Sequence, residues 1–355
     1  MIRVPVTVMA CALLFQTPAF GADSSTSALT DEAIAKVKAM SYRSDKVDWP
    51  ALESTVRAKA AGAKDVVDLL AALDTLVRGL GDNHSFVNAS AEDRAEYKTR
   101  HGREFDSDRT YKKATSPFTM RRGAMVKAAT AGKGSADVLT VPFLFGGGAR
   151  ANEYAQILYD GLSAGAGKRC GYVVDLRGNG GGNVWPMLTG LAPLLGEPWN
   201  GYDLRPDGRL TNYATVWRGK ATIMDKSDPY FGANMIELAN WKPLPALVRA
   251  PVAVLIDDAV GSSGEGVALA FQGRPNTRTF GTKTAGVASS NEGFMLADRV
   301  NIVVTTGLMI DRFRRTFPNG VTPDQATADP ASADSPDDPT MHAALDWLGQ
   351  QPDCG

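Results

Sequence analysis

Apolar positions along the chain change texture twice. From residue 27 to about 80 they follow a helical period. The clearest run is Val66, Leu69, Leu70, Leu73, Leu76, Val77 and Leu80, at steps of 3, 4, 7, 10, 11 and 14 from the first. These positions form one stripe, and the spacing predicts a helix that Gly81 ends. Two earlier helices are marked by their starts: Thr30 precedes Asp31-Glu32, and Asp48 precedes Trp49-Pro50. Both are good N-caps with acidic residues or proline in the first turn. Helices apolar on one face bury that face against each other, so a small bundle is expected. Residues 87–135 are polar and weakly periodic, and read as a linker with one or two strands.

From Val138 short β-rich runs alternate with helical ones. Val138–Pro142 is followed by a helix near Asn152 to Leu162, the strand Gly171–Leu176 and a helix from about Val184. A loop-rich insertion from Glu197 to about Pro245 leads to the strand Val252–Ile256 and a further helix. Strands alternating with helices imply an α/β core with buried strands. The Ala/Asp/Pro/Ser-rich tail, Thr327 to Pro339, reads as irregular before a last helix near Met341 to Leu348.

Composition narrows the function. The chain has 355 residues, 44% of them hydrophobic, with 38 basic residues against 39 acidic. That balance, without a basic cluster, argues against a nucleic-acid partner. The 36 glycines are aperiodic and point to turns and close backbone approaches rather than to a repeat. Residues 1–22 read as a signal peptide: Arg3, the apolar stretch Val4–Phe15, then small residues suited to cleavage after Gly21 or Ala22. The stretch is too short to span a bilayer, so the mature protein is expected to be secreted or periplasmic, with no stable membrane insertion. Lipid attachment at Cys11 is the alternative, on a poor match at Val8-Met9-Ala10-Cys11. The expected organisation is a signal peptide (1–22), a helical unit (27–105) and an α/β core (117–350).

Two cysteines remain after cleavage, Cys170 and Cys354; outside the cytoplasm they are compatible with a disulfide, but no spacing pattern pairs them. With only His84, His101 and His342, and no His-x-x-x-His or Cys-x-x-Cys pair, neither a metal nor another cofactor is expected. His101 and His342 read as surface residues.

Three segments carry candidate chemistry. Gly261-Ser262-Ser263-Gly264-Glu265 lies between the strand Val252–Ile256 and a helix. A serine there meets unpaired N–H groups and the positive end of the helix dipole, a place for a nucleophile; it is equally the place of a plain N-cap. Asp175-Leu176-Arg177-Gly178-Asn179-Gly180-Gly181-Gly182 also follows a buried strand, and its glycines permit N–H groups to approach a ligand, or simply make a turn. It matches no nucleotide-binding pattern. His84, in Leu80-Gly81-Asp82-Asn83-His84-Ser85, is a candidate base or a surface residue.

In this order the three segments resemble the tail-specific, or C-terminal-processing, serine proteases. Asp175 to Gly182 is similar to that family's Asp-Leu-Arg-x-Asn-x-Gly-Gly signature, and Ser262, three residues before Glu265, falls on its nucleophile. Gly281-Thr282-Lys283-Thr284-Ala285-Gly286 resembles its Gly-Glu-Pro-Thr-x-Gly turn, and Gly320-Val321-Thr322-Pro323-Asp324 its Gly-Val/Ile-x-Pro-Asp end. The resemblance spans about residues 30 to 325. It implies a ClpP/crotonase-like α/β core under an N-terminal helical cap, without room for an inserted PDZ domain. Relatives of the Ser-Lys type carry lysine directly after the Thr-x-Gly turn; that position is Val287 here, and Lys283 does not inherit the role. The tricorn-core and nisin-resistance branch takes a histidine from a Leu-x-Asp-x-His-Ser/Thr segment, which matches Leu80 to Ser85 and makes His84 the base.

The resemblance therefore implies a serine peptidase acting on peptide or protein substrates. Ser262 is the nucleophile, and Gly180, Gly181 and Ser263 supply oxyanion donors. Asp311 is the expected acid behind His84, with Glu265 second; either is also a plausible structural carboxylate, given Arg312, Arg314 and Arg315. Two other classes share the scaffold: a non-catalytic ligand or peptide binder, and an esterase-type acyl hydrolase, against which the missing Gly-x-Ser-x-Gly elbow counts.

Overall fold

The computed structural model describes residues 25–105, 114–226 and 231–354. The expected signal segment and Cys11 lie outside them.

Three helices open the described chain: α1 (Thr26–Met40), α2 (Trp49–Ala60) and α3 (Leu70–Arg78). Helix α2 starts at the expected cap, Asp48, whose side chain accepts the Ala51 N–H. Helix α1 starts earlier than its sequence implies. Ser25 caps it by accepting from Ala28, and Thr30, now inside the helix, returns its hydroxyl to Thr26 O at 2.7 Å. The apolar stripe from Val66 is buried as expected, but its first turn is irregular. Asp65 Oδ1 accepts the N–H groups of Val67 and Asp68, so regular helix begins only at Leu70. It ends at Gly79 rather than Gly81, which turns the chain with φ +64° toward His84.

Strand β1 (Phe86–Asn88) leads into α4 (Ala91–His101), in the stretch expected to be linker. Its signal is a reciprocal cap: Ser90 Oγ accepts from Asp93 N, and Asp93 Oδ2 accepts from Ser90 N. Only Asp93 and Tyr97 of this helix are buried, so it carries almost no apolar period.

The antiparallel pair β2 (Met125–Ala131) and β3 (Gly134–Thr140) is followed by α5 (Ala149–Gly165), β4 (Gly171–Asp175) and α6 (Val184–Leu195). The segment expected to be a loop-rich insertion forms antiparallel strands: β5 (Trp199–Leu204), β6 (Leu210–Trp217), β7 (Lys220–Thr222) and β8 (Asn234–Glu237). Then come β9 (Val252–Ile256), α7 (Ser263–Phe271), β10 (Thr277–Gly281), β11 (Ser289–Leu296), β12 (Val300–Met309), β13 (Gln325–Ala326) and α8 (Pro339–Gly349).

Two sheets result. One has the order β13-β10-β9-β4-β3-β2 and is parallel except for β2. Alternate residues of its central strands serve opposite faces. Tyr172, Val174, Val252, Val254 and Ile256 pack with α5, α6 and α7, whereas Val173, Ala253 and Leu255 pack with α8. The second sheet, β1-β12-β5-β6-β7-β8 with β11 also on β12, is antiparallel. Its long strand β12 joins two cores: Ile302 and Val304 pack with the N-terminal helices, Met309 with the α/β core. The N-terminal helices are thereby fastened to a strand formed two hundred residues later.

Cys170 and Cys354 form a disulfide with Cα atoms 5.1 Å apart, fixing the C-terminal segment behind α8 to the start of β4.

Candidate active site

The Asp-Leu-Arg segment is an architectural lock. Arg177 is fully buried, bridging both oxygens of Asp175 at 2.9 Å and reaching Asp338 at 2.9 Å. The ring of Phe118 lies 4.1 Å from the Arg177 guanidinium and 3.9 Å from that of Arg121, which itself binds Asp175. Burial opposes ionisation of Asp175, but these guanidinium groups hold its carboxyl below the usual carboxylate range. With the arginine locked, the glycine turn is set. Gly178 N donates to Asp257, Asn179 Nδ2 to Val141 O, and Gly261 N to Asn179 O, so the turn leans directly on the segment that carries the serines. A Cβ on Gly181 would lie 2.7 Å from Ser262 Cβ.

The two serines have different fates. Ser263, first residue of α7, donates its hydroxyl to Gly182 O at 2.5 Å and ties the helix to the glycine turn. Ser262 sits at the N-cap with φ +51° and ψ −121°, a conformation unfavourable for a residue with a Cβ, and its hydroxyl makes no cap bond. The strained turn presents Ser262 Oγ to a cavity of about 1070 Å³.

His84 lines the same cavity and is buried, at 4% exposure. Asp82 Oδ1 accepts the N–H groups of His84 and Ser85, and Ser85 Oγ in turn accepts the N–H of Thr305 on β12. The turn is held to the sheet on which β11 also lies. There His84 Nδ1 is 2.6 Å from Ser289 Oγ, and Asn291 Nδ2 donates to His84 O.

The expected orienting acids sit elsewhere. Asp311 binds Arg315 Nε at 2.7 Å and accepts the N–H groups of Phe313 and Arg315, and so closes its own turn. It does not line the cavity. Glu265 is wholly buried under the Thr284–Val287 turn, accepting from Thr284 Oγ1 and the N–H groups of Gly286 and Val287. Burial pushes its carboxyl up, and these hydrogen bonds with the Ser262 backbone work against that. Ser289 was not foreseen. It sits 205 residues from His84, and nothing local in the sequence marks it.

Of the expected oxyanion donors, Gly181 N is given to Asn179 Oδ1 at 3.0 Å. That asparagine is itself held in place by its Nδ2–H, donated to Val141 O. Gly180 and Ser263 remain: both line the cavity, and the Ser263 N–H, as the first of α7, has no acceptor within its helix. Lys283 is exposed and Val287 buried, with neither lining the cavity. Among the described residues, no group of histidine, cysteine, aspartate and glutamate is arranged to hold a metal ion.

The sequence profile of peptidase family S41 matches residues 147–327, the stretch that carries the glycine turn, Ser262 and the Thr284–Val287 turn. The chain belongs to peptidase family S41. A curated relative, the nisin-resistance protein of Lactococcus lactis subsp. lactis, is 27% identical over 308 residues, 86% of this chain and 82% of that protein. Two solved structures share the fold. A lipoprotein from Streptococcus agalactiae superposes with a TM-score of 0.63 at 22% identity, covering 88% of this chain and 95% of that one. The photosystem II D1 C-terminal processing protease gives 0.54 at 14% identity, covering 86% and 94%. The S41 match gives this mixed α/β fold the frame of a serine-type peptidase, with peptides or proteins as its substrate class.

Proposed function

We propose that this S41 protein is an extracytoplasmic serine peptidase that cleaves peptide bonds through an acyl-enzyme at Ser262, with His84 as base. The observation that carries the reading is the pairing of a strained serine, free of capping duty at a helix N-terminus, with a buried histidine on the wall of the same cavity.

In this reading His84 Nδ1–H is donated to Ser289 Oγ, and Nε2 is the nitrogen that takes the Ser262 proton. Ser262 Oγ attacks the carbonyl carbon as that proton moves to His84, and the oxyanion is met by the N–H groups of Gly180 and Ser263. The C–N bond breaks as His84 returns the proton to the leaving amine. Water then gives a proton to His84 and attacks the acyl carbon; the bond from that carbon to Ser262 Oγ breaks as His84 returns the proton to Oγ, releasing the acid. Ser289 stands where an acid was expected. It fixes the ring's orientation and tautomer, with less stabilisation of the imidazolium than a carboxylate supplies.

In this reading the α/β unit is a crotonase-like core, and the N-terminal helices, which precede His84 and pack on β12, serve as its cap. An extracytoplasmic location is supported by the signal-like N-terminus and by the Cys170–Cys354 disulfide, a bond that persists in oxidising compartments. A relative of the same fold described as a lipoprotein is consistent with it.

The test is hydrolysis of an unselected peptide mixture followed by mass spectrometry. The wild type is expected to cleave, and Ser262→Ala and His84→Ala each to lose cleavage while keeping the wild-type melting temperature. Retained cleavage in both variants would overturn the mechanism.

A further inference from the structure

The wall of the cavity contains a carboxylate that the mechanism does not use. Asp203, near the end of β5, lines the cavity and is 2% exposed. One hydrogen bond reaches it, from Ser290 Oγ at 2.8 Å. An ionised carboxylate accepts about four. The neighbouring cation does not fill the gap: Arg205 is engaged by Glu292 at 2.7 Å and by Thr211 Oγ1 at 2.8 Å. Burial accordingly pushes the Asp203 carboxyl up to about 6, with Glu292 adding to the rise and Ser290 and Arg205 opposing it. Its partner Ser290 follows Ser289, the residue on His84, and Asp203, His84 and Ser262 line one cavity.

We propose that Asp203 is the base of a subsite for a cationic group of the substrate, a lysine or arginine side chain, close to the bond that Ser262 attacks. The inference rests on the reading of the cavity as a peptidase site and adds the chemical class it selects. A long cationic side chain fits the surroundings: its methylenes run past Met309 on the same wall, and its head supplies the donors that Asp203 lacks. The other ionisable groups on the cavity are His84, Arg205, Asp207, Arg209, Tyr213, Asp225 and Glu292. Arg209 lies 3.6 Å from Asp207, so neither arginine stands unopposed against an incoming cation.

The experiment uses equilibrium binding to Ser262→Ala, in which cleavage does not interfere. Short alanine peptides carrying a single lysine or a single norleucine are titrated by calorimetry. The lysine peptide is expected to bind about tenfold tighter, the value of one charge-assisted contact at a desolvated site. The preference should vanish when Asp203→Asn is added, and should fade without that substitution as pH is lowered through about 6. A group that acts on both peptides alike cancels in the ratio, which isolates Asp203. Equal binding of the two peptides, no binding of either, or a preference that survives both Asp203→Asn and acid would overturn the subsite. Failure of the peptidase reading is separate: it appears as no cleavage of the peptide mixture by the wild type.

Discussion

Two adjacent serines show how much one hydrogen bond decides. Ser263 spends its hydroxyl on Gly182 O, and Ser262 keeps its own for the cavity. Ser263→Ala should therefore retain peptide cleavage and lose about 1 kcal/mol of stability in urea unfolding, the usual net worth of one intramolecular hydrogen bond. Ser289 acts through His84. Ser289→Ala is expected to lower kcat/KM by about tenfold or more and to move the pH profile of kcat, a shift that loss of packing alone would not produce. Ser262 and His84 were singled out by motifs in their own segments, and the structure brings both to one cavity. The partner of His84 was not, since contacts across two sheets leave no spacing. Asp311 illustrates the opposite case. Three arginines follow it within four residues, and the nearest able to fold back, Arg315, takes its carboxylate.

At the scale of elements, the site is where two turns press on each other. Gly181 has φ +112°, and a Cβ there would strike Ser262, so Gly181→Ala should abolish cleavage while far-UV circular dichroism stays native. Behind the turn, Arg177→Met would leave Asp175 in the interior with Arg121 as its remaining cation. Breaking a buried pair from one side costs about 3–5 kcal/mol where no partner is left, so a loss below that range is expected, measurable as a lower urea midpoint. The buried strands β4 and β9 and the helices with an apolar stripe were legible because their burial is written in their own residues. Helix α4 was not, since only two of its residues are buried; its signals lay at its ends, in the Ser90-x-x-Asp93 cap and in Gly102. Strands β5 to β8 were missed because polar and aromatic residues alternate there without a continuous apolar run, and their order comes from pairing with one another.

The whole molecule is one long strand's work as much as the core's. Strand β12 carries the N-terminal helices on one part of its length and meets the α/β core at Met309. In that way a histidine and a serine far apart in the chain come to share a cavity. The disulfide closes the other end, spanning 184 residues, and its reduction should lower stability by about 2–5 kcal/mol in urea unfolding. Acid should first help. Asp203 and Asp329 have carboxyl groups pushed up to about 6, mainly by burial, so the folded state takes up protons before an unfolded chain titrating near about 4 does. Stability is then expected to rise as pH falls from neutral toward about 5. It should be lost in stronger acid, where Asp175, held low by Arg177, finally protonates. The central claim remains the nucleophile with its base. A fluorophosphonate probe followed by tryptic mass spectrometry tests it most directly: the account predicts one adduct, on Ser262, which unfolding or His84→Ala removes. An adduct on Ser263, or none on the folded wild-type protein, would contradict it.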